Sequence, residues 1–210
     1  MRILLVLILC SIAYGSFAQE LDFTDYRRKS EGFSHITDKS MRNDLASFTL
    51  GGLDESIGKG QLKKLPVTSY GNDFITFDSN QIKVTIKTGP FFATKHKMIK
   101  EGDHVVKIDN KPYFGNYGKI PSVGISSLTV LVGKDTVPIP ANAIANLYNP
   151  QLTYFEGGVM KTKAAVYLSP DKHSFYIYML NMDNMGGYEV TWVIQDKQFV
   201  RRVIDYGFIQ

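Results

Sequence analysis

The stretch SFYIYMLNMDNMGGYEVTWVIQDKQFVRRVIDY, residues 174–206, decides the fold. Together with the residues just before it, this stretch contains four runs rich in β-branched and aromatic residues: Thr162–Leu168, Ser174–Leu180, Tyr188–Gln195 and Phe199–Tyr206. Only short links separate them, the shortest being Asp196-Lys197. Because short links join strands that run in opposite directions, residues 151–210 predict a four-stranded antiparallel meander.

The residues before this meander continue the β pattern. Ile82, Val84 and Ile86 alternate with polar residues, which predicts a half-buried strand, and residues 74–140 contain further hairpin signals. Pro138 and Pro140 cannot donate to a sheet ladder, so their segment should lie at an edge or a strand end. The sequence thus predicts an all-β fold, mostly antiparallel and either a sandwich or an open barrel, with a short helix near 141–148 and an irregular N-terminal region.

Length and charge limit the organisation. With 210 residues, 44% hydrophobic and 21% charged, the chain suits one globular domain, predicted over 19–210, with residues 19–71 as an irregular lead-in. The net charge of +4 is scattered along the sequence, so we expect no nucleic-acid partner.

Residues 1–18 have the three parts of a secretory signal peptide. Arg2 precedes an apolar run, and small residues lie at Ser16 and Ala18, which predicts cleavage between Ala18 and Gln19. The run is too short for a membrane span, so an uncleaved anchor is the weaker alternative, as is a lipid-modified Cys10. We therefore expect an exported protein, periplasmic or secreted, with no membrane span and no cysteine after cleavage.

Familiar catalytic motifs are incomplete in this sequence. Residues 52–60 resemble a phosphate-binding loop, but the spacing is wrong and Gly60 stands where a magnesium-binding hydroxyl is needed. The four histidines show no metal-ligand spacing, so the sequence predicts no metal site and no cofactor. A Ser/His/Asp set assembled by the fold stays open, because such triads are recognised by geometry and not by order.

One short segment suggests a family. Lys100–Pro112 resembles the Gly-Asp…Ile-x-Asn-Gly-Lys strand pair of PDZ domains over about 13 residues. That resemblance would imply a peptide-binding groove with a flanking helix and a carboxylate-binding loop. More strand follows instead, and Gly89-Pro90-Phe91-Phe92 has the wrong order for the loop, which favours ordinary turn chemistry.

Aromatic residues are concentrated in residues 154–208, and five side chains there are the candidate ligand-binding residues: Tyr176, Tyr178, Tyr188, Trp192 and Arg201. A two-residue turn at Asp196-Lys197 would place Trp192 opposite Arg201, in reach of a cation–π contact. Such a face is either a platform for sugar rings or peptide side chains, or the wall of a core with polar tips reaching solvent. The core wall is the favoured interpretation.

Three functional hypotheses follow. The first is a non-catalytic binding module for a glycan, a peptide or an envelope protein. The second is a hydrolase of envelope or extracellular polymers, which would need two carboxyl groups about 5–10 Å apart in a cleft. The third is a structural or assembly subunit that presents strand edges to partners.

Overall fold

The computed structural model describes residues 36–47, 62–79, 81–116, 118–183 and 186–206. Within these residues the chain forms one α-helix, α1 (Lys39–Ala46), and two 3-10 turns, Ala93–Lys95 and Ala141–Ala143. The described strands are β1 (Lys63–Lys64), β2 (Val67–Tyr70), β3 (Phe74–Ser79), β4 (Ile82–Pro90), β5 (Met98–Glu101), β6 (His104–Ile108), β7 (Lys111–Pro112), β8 (Val123–Val132), β9 (Asp135–Val137), β10 (Thr153–Glu156), β11 (Val159–Thr162), β12 (Ala164–Leu168), β13 (Ser174–Asp183), β14 (Gly186–Gln195) and β15 (Gln198–Tyr206).

Two five-stranded antiparallel sheets pack face to face. Sheet A has the order β1-β12-β13-β14-β15, and sheet B has the order β2-β3-β4-β8-β9. Their facing sides bury one continuous apolar core, to which sheet B contributes Phe77 and Val84 and sheet A contributes Ile177 and Trp192. The predicted all-β class is confirmed, β12, β13, β14 and β15 are successive antiparallel neighbours, and the described strands form a sandwich with no closed barrel.

The turns follow the predicted chemistry. Asp109 and Asn110 have φ of 53° and 63°, and Asp196 and Lys197 have φ of 48° and 61°. Both pairs thus have the left-handed backbone of a two-residue hairpin, whose twist matches that of the flanking strands. Strand β9 lies at the edge of sheet B and ends just before Pro138. This is the predicted position, because proline has no backbone N–H to donate to a sheet ladder.

The register between β14 and β15 differs from the prediction. Pairing next to the turn is as expected, but Val200 is an extra residue on β15 and shifts every later pair by one. Trp192 therefore lies opposite Arg202, and the predicted Trp192–Arg201 pair is wrong. Since neighbouring residues of a strand point to opposite faces, this bulge places Arg201 on the other side of the sheet.

Helix α1 covers the outer face of sheet A. Met41 and Leu45 pack there against Tyr176 and other residues of the sheet, forming a second buried cluster. The side chain of Asp38 accepts a hydrogen bond from the backbone N–H of Met41 and so caps the helix. Strand β13 is consequently covered on both faces, as its apolar and aromatic pattern predicts.

Strands β5, β6 and β7, which lie between β4 and β8 in the sequence, form a small separate sheet. Its buried residues pack against Tyr148, which lies in the segment expected to be helical. Only the 3-10 turn Ala141–Ala143 forms there, because Leu147 and Tyr148 make β-bridges to Phe114 and Gly124 instead. The strand pair of the PDZ resemblance is present as β6 and β7, and the chain then leads into β8.

Two predictions fall outside the described residues: the signal peptide of residues 1–18, with its cleavage at Ala18 and Gln19, and the loop of residues 52–60. In the part of the chain that the structure describes, no helix combines the length and the apolar character needed to cross a bilayer.

Candidate functional site

An open pocket of about 530 Å³ lies where the small sheet meets the end of the β4–β8 ladder. We call it the His96 pocket. Residues 89–92, His96, Asp109, residues 124–126 and residues 144–148 line it. Aromatic and aliphatic surface thus surrounds a few polar groups, which is the usual composition of a small-molecule site.

His96 is held in one orientation inside this pocket. Its Nδ1 lies 2.6 Å from Asp109 Oδ2, and its ring stacks on Phe91 with centroids 4.4 Å apart and planes 20° apart. The backbone N–H of Lys97 donates to the other carboxylate oxygen of Asp109 at 2.8 Å. The hydrogen bond from His96 and then that from Lys97 lower the pKa of Asp109 below its ordinary value, which keeps the carboxylate ionised.

This arrangement defines what His96 can offer a ligand. An ionised carboxylate at Nδ1 stabilises the tautomer with the proton on that nitrogen. In the neutral ring Nε2 then carries a lone pair, and within the described residues it has no hydrogen-bond partner. The imidazole can therefore accept a hydrogen bond from a hydroxyl in the pocket.

Tyr148 supplies a second polar group. Its ring packs edge-on against Phe91, with centroids 4.9 Å apart, and the residue is 9% exposed. Burial raises the pKa of Tyr148, and the negative charge of Asp109 raises it further, so the phenol stays neutral and keeps its proton. Among the described residues its hydroxyl has no hydrogen-bond partner, which leaves that group available as a donor.

Side chains of sheet A hold the pocket wall that carries Tyr148 by donating hydrogen bonds to its backbone carbonyls. Trp192 Nε1 donates to the carbonyl of Ala143 at 2.6 Å, and Arg202 Nη1 donates to the carbonyl of Ala145 at 2.8 Å. The Tyr188 hydroxyl and the Asn181 amide both donate to the carbonyl of Tyr148 at 3.3 Å. These side chains come from three adjacent strands of the sheet that faces the segment.

Asn149 fixes the same segment from the other side. Its side-chain oxygen accepts hydrogen bonds from the backbone N–H groups of Ser122 and Val123, at 3.0 and 3.2 Å. Its amide nitrogen donates to the side-chain oxygen of Asn116 at 2.9 Å. Asn146 and Asn149 have positive φ, of 64° and 49°, a conformation that asparagine tolerates better than most residues. The pocket wall is thus irregular in backbone yet held at many points, so binding would order little of it.

The structure divides the five sequence-predicted binding residues between the two faces of sheet A. Tyr188 and Trp192 are fully buried on the inner face, where they position the pocket wall without lining the pocket. Tyr176, Tyr178 and Arg201 belong to the outer face. They therefore form no single platform, although each position lies in sheet A as the pattern predicts.

Both tyrosines of the outer face use their hydroxyls on carboxylates. Tyr176 donates to Asp44 of helix α1 and Tyr178 donates to Glu189 of β14, each at 2.8 Å. The first bond fastens helix α1 to sheet A and the second links two neighbouring strands of that sheet, so both phenol groups have a structural use.

The sequence reasoning missed His96, Asp109 and Tyr148 as members of one site. His96 and Asp109 are 13 residues apart, and only the β5–β6 hairpin brings them together. The sequence predicts Asp109 as a turn residue, and its positive φ confirms that role beside its contact with His96. The aromatic pair Phe91-Phe92 shortly before His96 is the one local signal that could have indicated the pocket.

The paired carboxyl groups that the hydrolase hypothesis needs are not in this pocket, where Asp109 is the only acidic residue among the described lining residues. Glu189 and Asp205 are direct cross-strand partners, but they are 2% and 5% exposed and line neither described pocket. The described residues also contain no group of three or more His, Cys, Asp or Glu side chains arranged to hold a metal.

Comparison with known proteins adds no family to this description. The chain matches no family model, no curated protein and no solved structure, so the argument for function depends on the geometry of its own residues.

Proposed function

We propose that this protein is an exported, non-catalytic binding module that holds a glycan in the His96 pocket. The observation that carries the proposal is the combination of aromatic rings with two polar groups, His96 Nε2 and the Tyr148 hydroxyl, that have no partner among the described residues and lie beside a hydrogen-bonded wall.

Sugars suit this combination. A pyranose ring has apolar faces and a rim of hydroxyl groups, so it stacks on aromatic rings and exchanges hydrogen bonds at its edges. Phe92 is 54% exposed beside the pocket and offers such a stacking surface. His96 Nε2 is an acceptor and the Tyr148 hydroxyl is a donor, which together match the two roles of a sugar hydroxyl.

The test is thermal unfolding and calorimetric titration of the purified protein against a panel of soluble neutral oligosaccharides. A ligand of the folded state at 100 times its Kd stabilises it by about 2.7 kcal/mol, which raises the Tm measurably. Phe92→Ala should weaken binding roughly 3- to 10-fold, the range expected when one aromatic contact is lost.

The matched control is Phe155→Ala, because Phe155 is 69% exposed on β10 and lies outside the pocket lining. It should leave the affinity unchanged. If no oligosaccharide raises the Tm, or if both variants weaken binding equally, the proposed function is wrong.

A second candidate function is hydrolysis, and the His96–Asp109 pair is the observation that favours it. A histidine oriented by a carboxylate at Nδ1 can take a proton from water through Nε2 and return it to the leaving oxygen. Release of acetate from acetylated oligosaccharides by the native protein, abolished by His96→Gln, would establish this activity. Binding without any turnover would support the binding module instead.

A further inference from the structure

We propose that a second pocket, beside the β10–β11 hairpin, binds the carboxylate of an acidic sugar. The pocket has a volume of about 420 Å³ and lies between β1, β12, β13 and that hairpin. We call it the Lys64 pocket. None of its lining residues lines the His96 pocket, so either proposal can be wrong while the other is right.

The charge of the Lys64 pocket is of one sign. Lys64 and Lys163 line it, and no Asp, Glu or His is among its described lining residues. Lys64 is exposed and has no carboxylate partner in the part of the chain that the structure describes. An anion that enters the pocket therefore meets two ammonium groups without displacing an internal ion pair.

Three tyrosines also line the pocket, and two of them contact the lysines. Lys64 Nζ lies 5.3 Å from the centre of the Tyr167 ring, and Lys163 Nζ lies 5.7 Å from that of Tyr154. These cation–π contacts hold the ammonium groups without neutralising them. Tyr178, one of the sequence-predicted binding residues, lines the same pocket and packs edge-on against Tyr167.

Lys163 is the more rigid of the two cations. Its ammonium donates to the side-chain oxygen of Gln151 at 2.8 Å and to the carbonyl of Met182 at 3.2 Å. Both acceptors are neutral, and an ammonium has three donors, so one N–H remains for a ligand. The positive charge is thus positioned before any ligand arrives.

The tyrosine rings distinguish a sugar acid from a bare anion. A carboxylate carried on a sugar ring can pair with a lysine of the pocket while the sugar ring faces the tyrosine side chains, whereas acetate or phosphate uses only the charge. The Tyr178 hydroxyl donates to Glu189, which is 2% exposed and does not line the pocket.

Calorimetric titration at low ionic strength tests the proposal, with four probes: a short oligogalacturonate, a neutral galacto-oligosaccharide of equal length, acetate and inorganic phosphate. We expect the oligogalacturonate to bind and the other three to bind at least tenfold more weakly. Lys64→Gln should weaken oligogalacturonate binding about tenfold, the loss expected for one charged hydrogen bond, and Lys64→Glu should weaken it further.

Lys134→Glu is the matched control, because Lys134 is an exposed lysine in the β8–β9 turn and its replacement changes the net charge equally. It should leave binding unchanged. Equal affinity for acetate or phosphate, equal affinity for the neutral oligosaccharide, or equal effects of Lys64→Glu and Lys134→Glu would each overturn the proposal. Phe92→Ala should not affect the oligogalacturonate titration. A failure of the Lys64 pocket proposal can therefore be distinguished from a failure of the His96 pocket proposal.

Discussion

Trp192→Phe tests whether sheet A holds the wall of the His96 pocket. The change removes the indole N–H that donates to the carbonyl of Ala143 at 2.6 Å, and it keeps an aromatic ring in the core. Arg202 Nη1 also reaches this carbonyl, at 3.3 Å, so the carbonyl is not left without a donor. The loss of one hydrogen bond therefore costs about 1 kcal/mol.

The smaller ring adds a second cost. Trp192 is fully buried, and the space left by the lost part of the indole is enclosed by the sandwich core. Core truncations of this size that the structure cannot refill cost about 1–2 kcal/mol. We expect Trp192→Phe to lower the free energy of unfolding by about 2–3 kcal/mol in all.

Urea denaturation followed by circular dichroism measures the free energy of unfolding. Amide hydrogen exchange measures the local protection of the pocket wall at residues 143–145. Ile194→Val is the matched control, since Ile194 is buried in the same strand and core but makes no side-chain hydrogen bond to the wall. It should cost about 1 kcal/mol and leave the relative protection of residues 143–145 unchanged. Trp192→Phe should lower that protection beyond its global effect. A loss of stability below about 0.5 kcal/mol, or unchanged local protection, would refute the reasoning.

Two further predictions concern carboxylates that accept hydrogen bonds, one exposed (Asp171) and one buried (Glu189). Burial raises the pKa of Asp171, but hydrogen bonds from the backbone N–H and hydroxyl of Ser174 and from neighbouring groups outweigh it and lower the pKa below 3.8. The stabilisation is therefore present above that pH and is lost as the pH falls through the lowered pKa, so Asp171→Ala should cost about 1 kcal/mol at neutral pH and progressively less in acid, measured by urea titrations. Tyr178→Phe removes the donor to Glu189, which is 2% exposed, and should cost about 1.5–3 kcal/mol by the same method. Tyr176→Phe, whose hydroxyl bond is only partly buried, should cost less; the reverse order would contradict this account.

Trp192 and Tyr188 are candidate ligand-binding residues in the sequence, but in the structure they support the pocket wall from the core, for a physical reason. Aromatic residues with a polar atom suit a binding platform and a buried wall equally well, and the sequence pattern cannot separate the two uses. In the structure both polar atoms meet backbone carbonyls of residues 143–148, which a non-helical segment leaves open. The aromatic concentration thus marks the support of a candidate site, with the site itself built on the neighbouring loops.

The sequence by itself determined the fold class, the antiparallel succession of β12 to β15, the turns at Asp109-Asn110 and Asp196-Lys197, and the edge position of β9. These features are local, because alternation and turn residues act over a few positions of the chain. Only the tertiary structure decided the register after Val200, the non-helical form of residues 144–148 and the meeting of His96 with Asp109. Each depends on how strands and loops pack in three dimensions, because one extra residue or one hairpin sets which side chains share a face.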